Sequence, residues 1–192
     1  MARDQLIDTL LYTQDSVGIR LLSERELEGP YPSWFTDEAV HLHNSHWARP
    51  QTDQQVADFV KGLSSDTSKL VFAVYELSEG QHIGNVSLQA INHLHQTAEM
   101  AFLFGNRQYW GKGLAKKASE LVLRHAFRHL NLRRVYLGCL SSNQAMIGLA
   151  KSLGFQQEGV RRQALFAQGE FYDVVEYGLL KDEAPDYLNC QS

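Results

Sequence analysis

Hydrophobic and polar positions change period several times along the chain, and each change marks an element. Apolar and β-branched residues run together over residues 17–23, which read as a strand. Residues 6–12 fit a short helix or an extra strand equally well. The stretch GPYPSWFTDEAV is a loop leading to a short helix, with Thr36 or Asp37 as its N-cap. Thr52 or Asp53 opens a second helix, in which Val56, Phe59, Val60 and Leu63 fall at i, i+3, i+4 and i+7, the spacing of one buried face. Turn residues close it at 64–68. Three strand signals follow, over residues 69–77, 81–91 and 97–104, with Glu79-Gly80 as the first turn between them. Their connections are short, so antiparallel pairing is expected.

The second half has another rhythm. Residues 113–130 predict a long helix with Leu114, Ala118, Leu121 and Val122 on one face. A strand over 133–140 leads to a helix over 143–153, which Gly154 ends as a left-handed cap. Strands over 155–160 and 171–180 follow, with a turn at Gln168-Gly169, and residues 182–192 read as a frayed tail. The four prolines are Pro30, Pro32, Pro50 and Pro185, so residues 51–181 run without one and without a linker. A meander followed by strand–helix–strand–helix–strand predicts an α+β fold: a mixed, mostly antiparallel sheet with a parallel portion in its middle.

Composition narrows the functional classes. A chain of 192 residues suits one domain, with 44% hydrophobic and 21% charged residues in the ordinary globular range. The net charge is −4, unlike a strongly basic nucleic-acid binder. The two cysteines, Cys139 and Cys190, read as free thiols of a reducing compartment. The first sixteen residues carry Asp4 and Asp8 and do not read as a signal peptide. No stretch is long and apolar enough to span a membrane. The expected setting is the cytoplasm, with neither membrane nor nucleic acid as partner.

The chemistry is concentrated in residues 98–118, AEMAFLFGNRQYWGKGLAKKA. A strand runs into Gly105, a short polar loop follows, and Gly111-Lys112-Gly113 opens the long helix. Glycines at such a turn let a ligand approach the backbone. The first N–H groups of a helix have no intrahelical acceptor, and the macrodipole places partial positive charge there. A diphosphate suits that position. The same glycines also suit a plain helix start. The chain has no GxxxxGK[ST] and no GxGxxG, so an NTPase P-loop and a Rossmann cofactor site are both unsupported.

Gln108-Tyr109-Trp110-Gly111-Lys112-Gly113 fits the Q/R-x-x-G-x-G/A signature, and here the chain resembles the GNAT (Gcn5-related) N-acetyltransferases. YWGKGLAKKA, the run from Asn143 to Phe155, Glu158 to Arg162, and Tyr172-Asp173-Val174 resemble the branch that includes the ribosomal-protein acetyltransferases. The similarity covers residues 15–181, implying a single GNAT domain over 1–192 with residues 182–192 as tail. It implies transfer of an acetyl group from acetyl-CoA to an amine, on a sheet whose central parallel strands splay apart between helices on both faces. The splayed strands would be those over 97–104 and 133–140. By the same resemblance the pantetheine arm pairs with backbone at Phe102, Leu103 and Phe104, and Gln108, Gly111, Lys112, Gly113, Leu114 and Ala115 hold the pyrophosphate. Asn143 either caps its helix or bonds the pantetheine, and Lys151 either reaches the phosphates or stays solvated. The family's usual general acid is absent: Ala150 stands at the tyrosine position and Met146 at the serine position used by the ribosomal branch. A thiolate with a thiol pKa near ~8.5 can leave without one.

Glu99, at the head of the cofactor strand, is the candidate catalytic base, against a reading as a surface or salt-bridged carboxylate. Tyr177 and Asp173 are weaker candidates. The histidine groups His41, His43, His46 and His93, His95 lack acidic or cysteine ligands at fixed spacing, so no metal is expected. His41 and His43 also suit a substrate cleft. Residues 31–40, 72–74 and 83–88 resemble, more loosely, GNAT enzymes of nucleotide-sugar and surface-polysaccharide biosynthesis. That implies an amino-sugar acceptor contacted by Trp34, Asn85 and Ser87, with Trp47 as a further flat face and Arg49, Arg161 or Arg162 for phosphates. A protein N-terminus, another small amine, and a silent acyl-CoA sensor are the alternatives. The expected partner is a small-molecule amine, with a homodimer as an open option.

Overall fold

The structure, a computed structural model, describes residues 6, 8–41, 51–167 and 169–185. Eight strands form one sheet in the order β1-β2-β3-β4-β5-β6-β8-β7. They are β1 (Tyr12–Gln14), β2 (Val17–Leu21), β3 (Leu70–Glu76), β4 (Gln81–Asn92), β5 (Thr97–Leu103), β6 (Arg134–Leu140), β7 (Gln156–Ala167) and β8 (Glu170–Leu180). Every neighbouring pair is antiparallel except β5 and β6. The helices are α1 (Glu38–His41), α2 (Asp53–Gly62), α3 (Leu114–Arg128) and α4 (Gln144–Ser152). The expected α+β architecture is therefore present.

Side-chain alternation sorts the sheet into two faces. On one face Val17, Phe72, Val86, Met100, Val135 and Leu137 meet Ala118, Leu121, Val122 and Ala126 of α3, and Ala150 and Leu153 join them from the α4 end. On the other, Val71, Ala73 and Tyr75 of β3 meet Trp34, Phe35, Val56 and Val60. Full burial of each Val, Leu, Phe or Met among them contributes roughly 1.5–3 kcal/mol. Among the described residues, the second core covers the β2–β4 side of its face and reaches as far as Leu103 of β5. No described helix covers the remainder of that face over β5, β6 and β8.

Local signals explain most boundaries. Asp37 caps α1, its Oδ1 accepting the Ala39 N–H at 3.0 Å. Thr52 caps α2 in a reciprocal box with Gln55. Phe59 departs from the buried face predicted for α2: it is 37% exposed, with the Lys69 ammonium over its ring. Residues 6–12 belong to neither alternative outright, since Leu6 is helical and Tyr12 begins β1. β7, at 12 residues, is twice as long as the strand predicted over 155–160. It is an edge strand with mostly exposed side chains, so no hydrophobic period marked its continuation. The start of the predicted tail is ordered. Lys181–Glu183 make a 3₁₀ turn, and the Pro185 ring packs over Gly154. Among the described residues, no helix is long and apolar enough to cross a membrane.

Candidate active site

The parallel ladder between β5 and β6 is three pairs long: Thr97–Arg134, Ala98–Val135 and Glu99–Tyr136. Beyond Glu99 and Tyr136 the two strands separate. β5 continues against β4 as far as Leu103, and β6 continues against β8 as far as Leu140. A V-shaped opening results, with the inner edge of β5 lacking a strand partner among the described residues. Backbone groups on such an edge call for another partner. Phe102, Leu103 and Phe104 lie on this arm and are half-buried. The rings of Phe102 and Phe104 pack on the α3 core, and Leu103 packs on the second core.

The arm of β5 leads into the glycine loop. Trp110 donates its indole N–H to the Phe104 carbonyl at 2.9 Å, and the Tyr109 hydroxyl donates to Glu79 at 2.6 Å. Asn106 accepts the Gln108 N–H at 3.2 Å, starting a short 3₁₀ turn. Gln108, Gly111, Lys112 and Gly113 are all exposed. Gly111 and Gly113 have φ of 73° and 76°, the left-handed region that glycine enters without steric cost. A Cβ on either would point into open space. Gly113 caps α3, whose first turn holds no acid. Lys116 and Lys117 stand there instead, bonded to Glu120 and Asp15. Basic residues at a helix N-terminus oppose the macrodipole, and an anion there would reverse that penalty. Leu114 is buried and Ala115 half-buried, so the helix start is anchored while its N–H groups face outward.

At the vertex of the V, Glu99 is half-buried. Among the described residues no side chain hydrogen-bonds its carboxylate. Burial raises its pKa, the charge of Glu176 raises it further, and Arg161 works against both. Tyr136, across the last ladder pair, also has a raised pKa, from burial and then from Glu99. Glu176 of β8 faces Gly138 of β6 and is ion-paired with Arg161 of β7. Glu99, Tyr136, Glu176 and Arg161 thus share one face of the sheet, which no described helix covers there. Tyr136 and Glu176 were not singled out from the sequence. A carboxylate inside the apolar run VVEYGLL was the available signal.

The remaining expected residues fall in different places. Asn143 caps α4, accepting the Met146 N–H at 3.1 Å, which is the first of its two expected roles. Lys151 is exposed on the last turn of α4. Trp34 is 4% exposed, its ring 4.8 Å from His82 and packed where a side chain at Gly105 would collide. Asn85 is buried and accepts His82 Nε2–H at 2.9 Å. Ser87 is buried beside Ala101 and accepts from Gln89. Tyr177 lies in the α3 core, and Asp173 accepts the Gln163 N–H at the irregular part of β7. Tyr177 therefore lies on the opposite face of the sheet from Glu99. Arg162 lies with Gln163 and Asp173 on a surface hollow apart from it. His43, His46, Trp47 and Arg49 lie outside the described residues, as does the His41 side chain. Among the described residues, no three His, Cys, Asp or Glu side chains gather as metal ligands.

A splayed β5–β6 pair feeding a glycine loop at a helix start matches a family pattern. The family model for the acetyltransferase (GNAT) domain matches residues 16–156. The chain belongs to the GNAT acetyltransferase family. Among GNAT relatives, the spermidine N(1)-acetyltransferase of Escherichia coli (strain K12) is 34% identical over 97 residues, 50% of this chain and 52% of that protein. The alignment thus spans about half of that relative's length. The spermidine N(1)-acetyltransferase of Vibrio cholerae is 29% identical over 162 residues, 84% of this chain and 80% of that one. A crystal structure of the Vibrio cholerae enzyme with CoA and spermine superposes with a TM-score of 0.81 at 24% identity, covering 92% of this chain and 100% of that one. That likeness speaks for the GNAT fold.

Proposed function

We propose that this chain is an acetyl-CoA-dependent N-acetyltransferase for a small cationic amine of the polyamine type. The observation that carries the reading is the ending of the β5–β6 ladder at Glu99. It joins a carboxylate, a V with an unpaired strand edge, and an open glycine loop in one continuous path. Gln108, Gly111, Lys112, Gly113, Leu114 and Ala115 hold the pyrophosphate, and backbone at Phe102, Leu103 and Phe104 pairs with the pantetheine amides. Glu99 takes the ammonium proton, directly or through a water, and the freed amine nitrogen attacks the thioester carbonyl carbon. The tetrahedral centre collapses, the C–S bond breaks with its electron pair leaving on the thiolate, and the nitrogen's second proton passes to that thiolate or to solvent, giving the amide and the free thiol. A thiolate is stable enough near neutral pH to leave unassisted, which accommodates Ala150 and Met146.

The acceptor class rests on charge. Glu99 and Glu176 outnumber Arg161, the cation they share this face with, and the remaining negative charge attracts a cationic amine and repels a nucleoside diphosphate. Trp34 and Asn85, expected to meet a sugar, are committed to packing with His82. The relatives' names point the same way. The test is thiol release from acetyl-CoA with spermidine, nucleotide-linked amino sugars and ribosomal peptide N-termini in parallel. The highest kcat/KM is expected with spermidine. A preference for a sugar or peptide overturns the acceptor assignment, and acetyl-CoA binding without turnover of any amine turns the enzyme into an acyl-CoA sensor.

A further inference from the structure

We propose that Glu176 is the anchor for a second cationic centre of the acceptor, and that Arg161 is a removable counter-ion occupying it until an ammonium takes its place. The inference rests on the cationic-amine reading above and assigns the residue that selects a diamine over a monoamine. Glu176 stands on β8 and Glu99 on β5, with β6 between them. Two strand spacings across and two residues along the strands separate their backbones by roughly 12 Å. Both side chains sit on the same face, past or at the point where β5 and β6 part. A ligand with one amine at Glu99 and a second a few carbons away therefore reaches Glu176 across the V.

The floor between them is built for occupancy. Gly138 lies opposite Glu176 in the β6–β8 register. A Cβ there would stand 3.3 Å from Glu176 Oε1 and 3.7 Å from Arg161 Nη2. The absence of a side chain gives the carboxylate and its cation their room. Glu176 has 28% of its side chain exposed and needs a positive partner at that depth. Arg161 supplies one from the edge strand, with 63% of its own side chain exposed. Arg161 is the last pair of the regular β7–β8 ladder before its register shifts ahead of Leu165, so the chain is irregular on one side of it. An ion pair this exposed contributes little to stability, and exchange of guanidinium for ammonium preserves the charge balance. Glu158 makes a useful contrast. It is held by both guanidinium nitrogens of Arg134, a two-point pairing over Gly178 that is harder to replace.

The experiment compares kcat/KM for a series of α,ω-diamines with monoamines of matching length, in the wild type, Glu176→Gln, Arg161→Gln and Glu158→Gln. Acetyl-CoA affinity by calorimetry checks that each variant is folded. The wild type should favour the best diamine by on the order of 10-fold, the strength of one charge-assisted contact. Glu176→Gln should bring that ratio close to one through KM. Arg161→Gln, on the exposed edge strand, should increase it by removing the competitor, and Glu158→Gln should leave it as in the wild type. The pH profile gives a separate readout. Glu99 is faced by Tyr136 from β6, Glu176 from β8 and Arg161 from β7. Its acid limb should therefore fall to lower pH in Glu176→Gln and climb in Arg161→Gln. Should Glu176→Gln keep the wild-type diamine preference, or Arg161→Gln fail to raise it, the anchor is overturned while the acetyltransferase reading stands. If the wild type releases no thiol with any amine, the underlying reading fails and the anchor with it.

Discussion

Glu99 shows how one residue's surroundings prepare it for proton transfer. It ends the parallel ladder, so its backbone stands where β5 and β6 begin to part. Burial, then Glu176, raise its pKa above the ordinary 4.5. A raised carboxyl pKa makes the ionised form a stronger base toward an ammonium. Replacing Glu99 by Gln is expected to lower kcat by about 10²–10⁴-fold, with acetyl-CoA affinity near the wild-type value. Full kcat in the variant across neutral pH would move the base to another group. Stability has its own sign. Below the unfolded value both states carry the proton and Glu99 costs nothing, whereas as pH rises through the higher folded value the folded state pays to ionise it. Glu99→Gln should therefore melt higher than wild type at neutral pH and about equally near pH 4. Glu99 was legible from its place at the head of a strand. Tyr136 and Glu176 were not, because their approach to it depends on the β5–β6 and β6–β8 registers, which no local pattern encodes.

At the scale of elements, the glycine loop and α3 were the most legible part of the chain. The residue types that shape a helix-start anion site are few, and their spacing is local. The structure separates two reasons for Gly113 that the sequence left joined. Its φ of 76° demands glycine or, at modest cost, asparagine, while the open space above it allows close approach by a ligand. Gly113→Ala should lower stability by about 1–2 kcal/mol through backbone strain. Gly113→Asn should keep a Tm close to wild type yet place a side chain over the N–H groups, so acetyl-CoA affinity should fall strongly in calorimetry. Wild-type affinity in Gly113→Asn would reduce the glycine to a conformational role. β7 shows the opposite limit. Its inner half was found through Phe155 and Val160, but its continuation passes through exposed Arg162, Gln163 and Ala164 at a register shift, and the pairing with β8 resumes only at Leu165, so no hydrophobic alternation marks it.

For the whole molecule, the decisive feature is a sheet that gives up backbone pairing in its middle. Two cores hold the halves: α3 and α4 under one face, the Trp34 and α2 cluster over the β2–β4 side of the other. The order of elements made a parallel pair in mid-sheet predictable. The length of its ladder was not, since it reflects how α4 and the two cores hold β5 and β6 apart at a distance from either strand's own residues. A consequence can be measured. Amides at 97–99 lie in the closed part of the sheet, whereas the inner edge of β5 from 100 to 103 and the first turn of α3 have no strand or helix acceptor on that side. Acetyl-CoA lying in the V should slow hydrogen exchange at 101–104 and 113–117, leave 97–99 nearly unchanged, and raise Tm in proportion to RT ln(1 + [L]/Kd). Coenzyme A without the acetyl group should protect the same segments. A short 3′-phosphoadenosine diphosphate fragment should protect only 113–117, because it lacks the arm that reaches β5. Protection of β5 by the fragment would mean that the V closes by a change in the protein itself, and protection confined to 113–117 with full acetyl-CoA would mean that the arm lies outside the V.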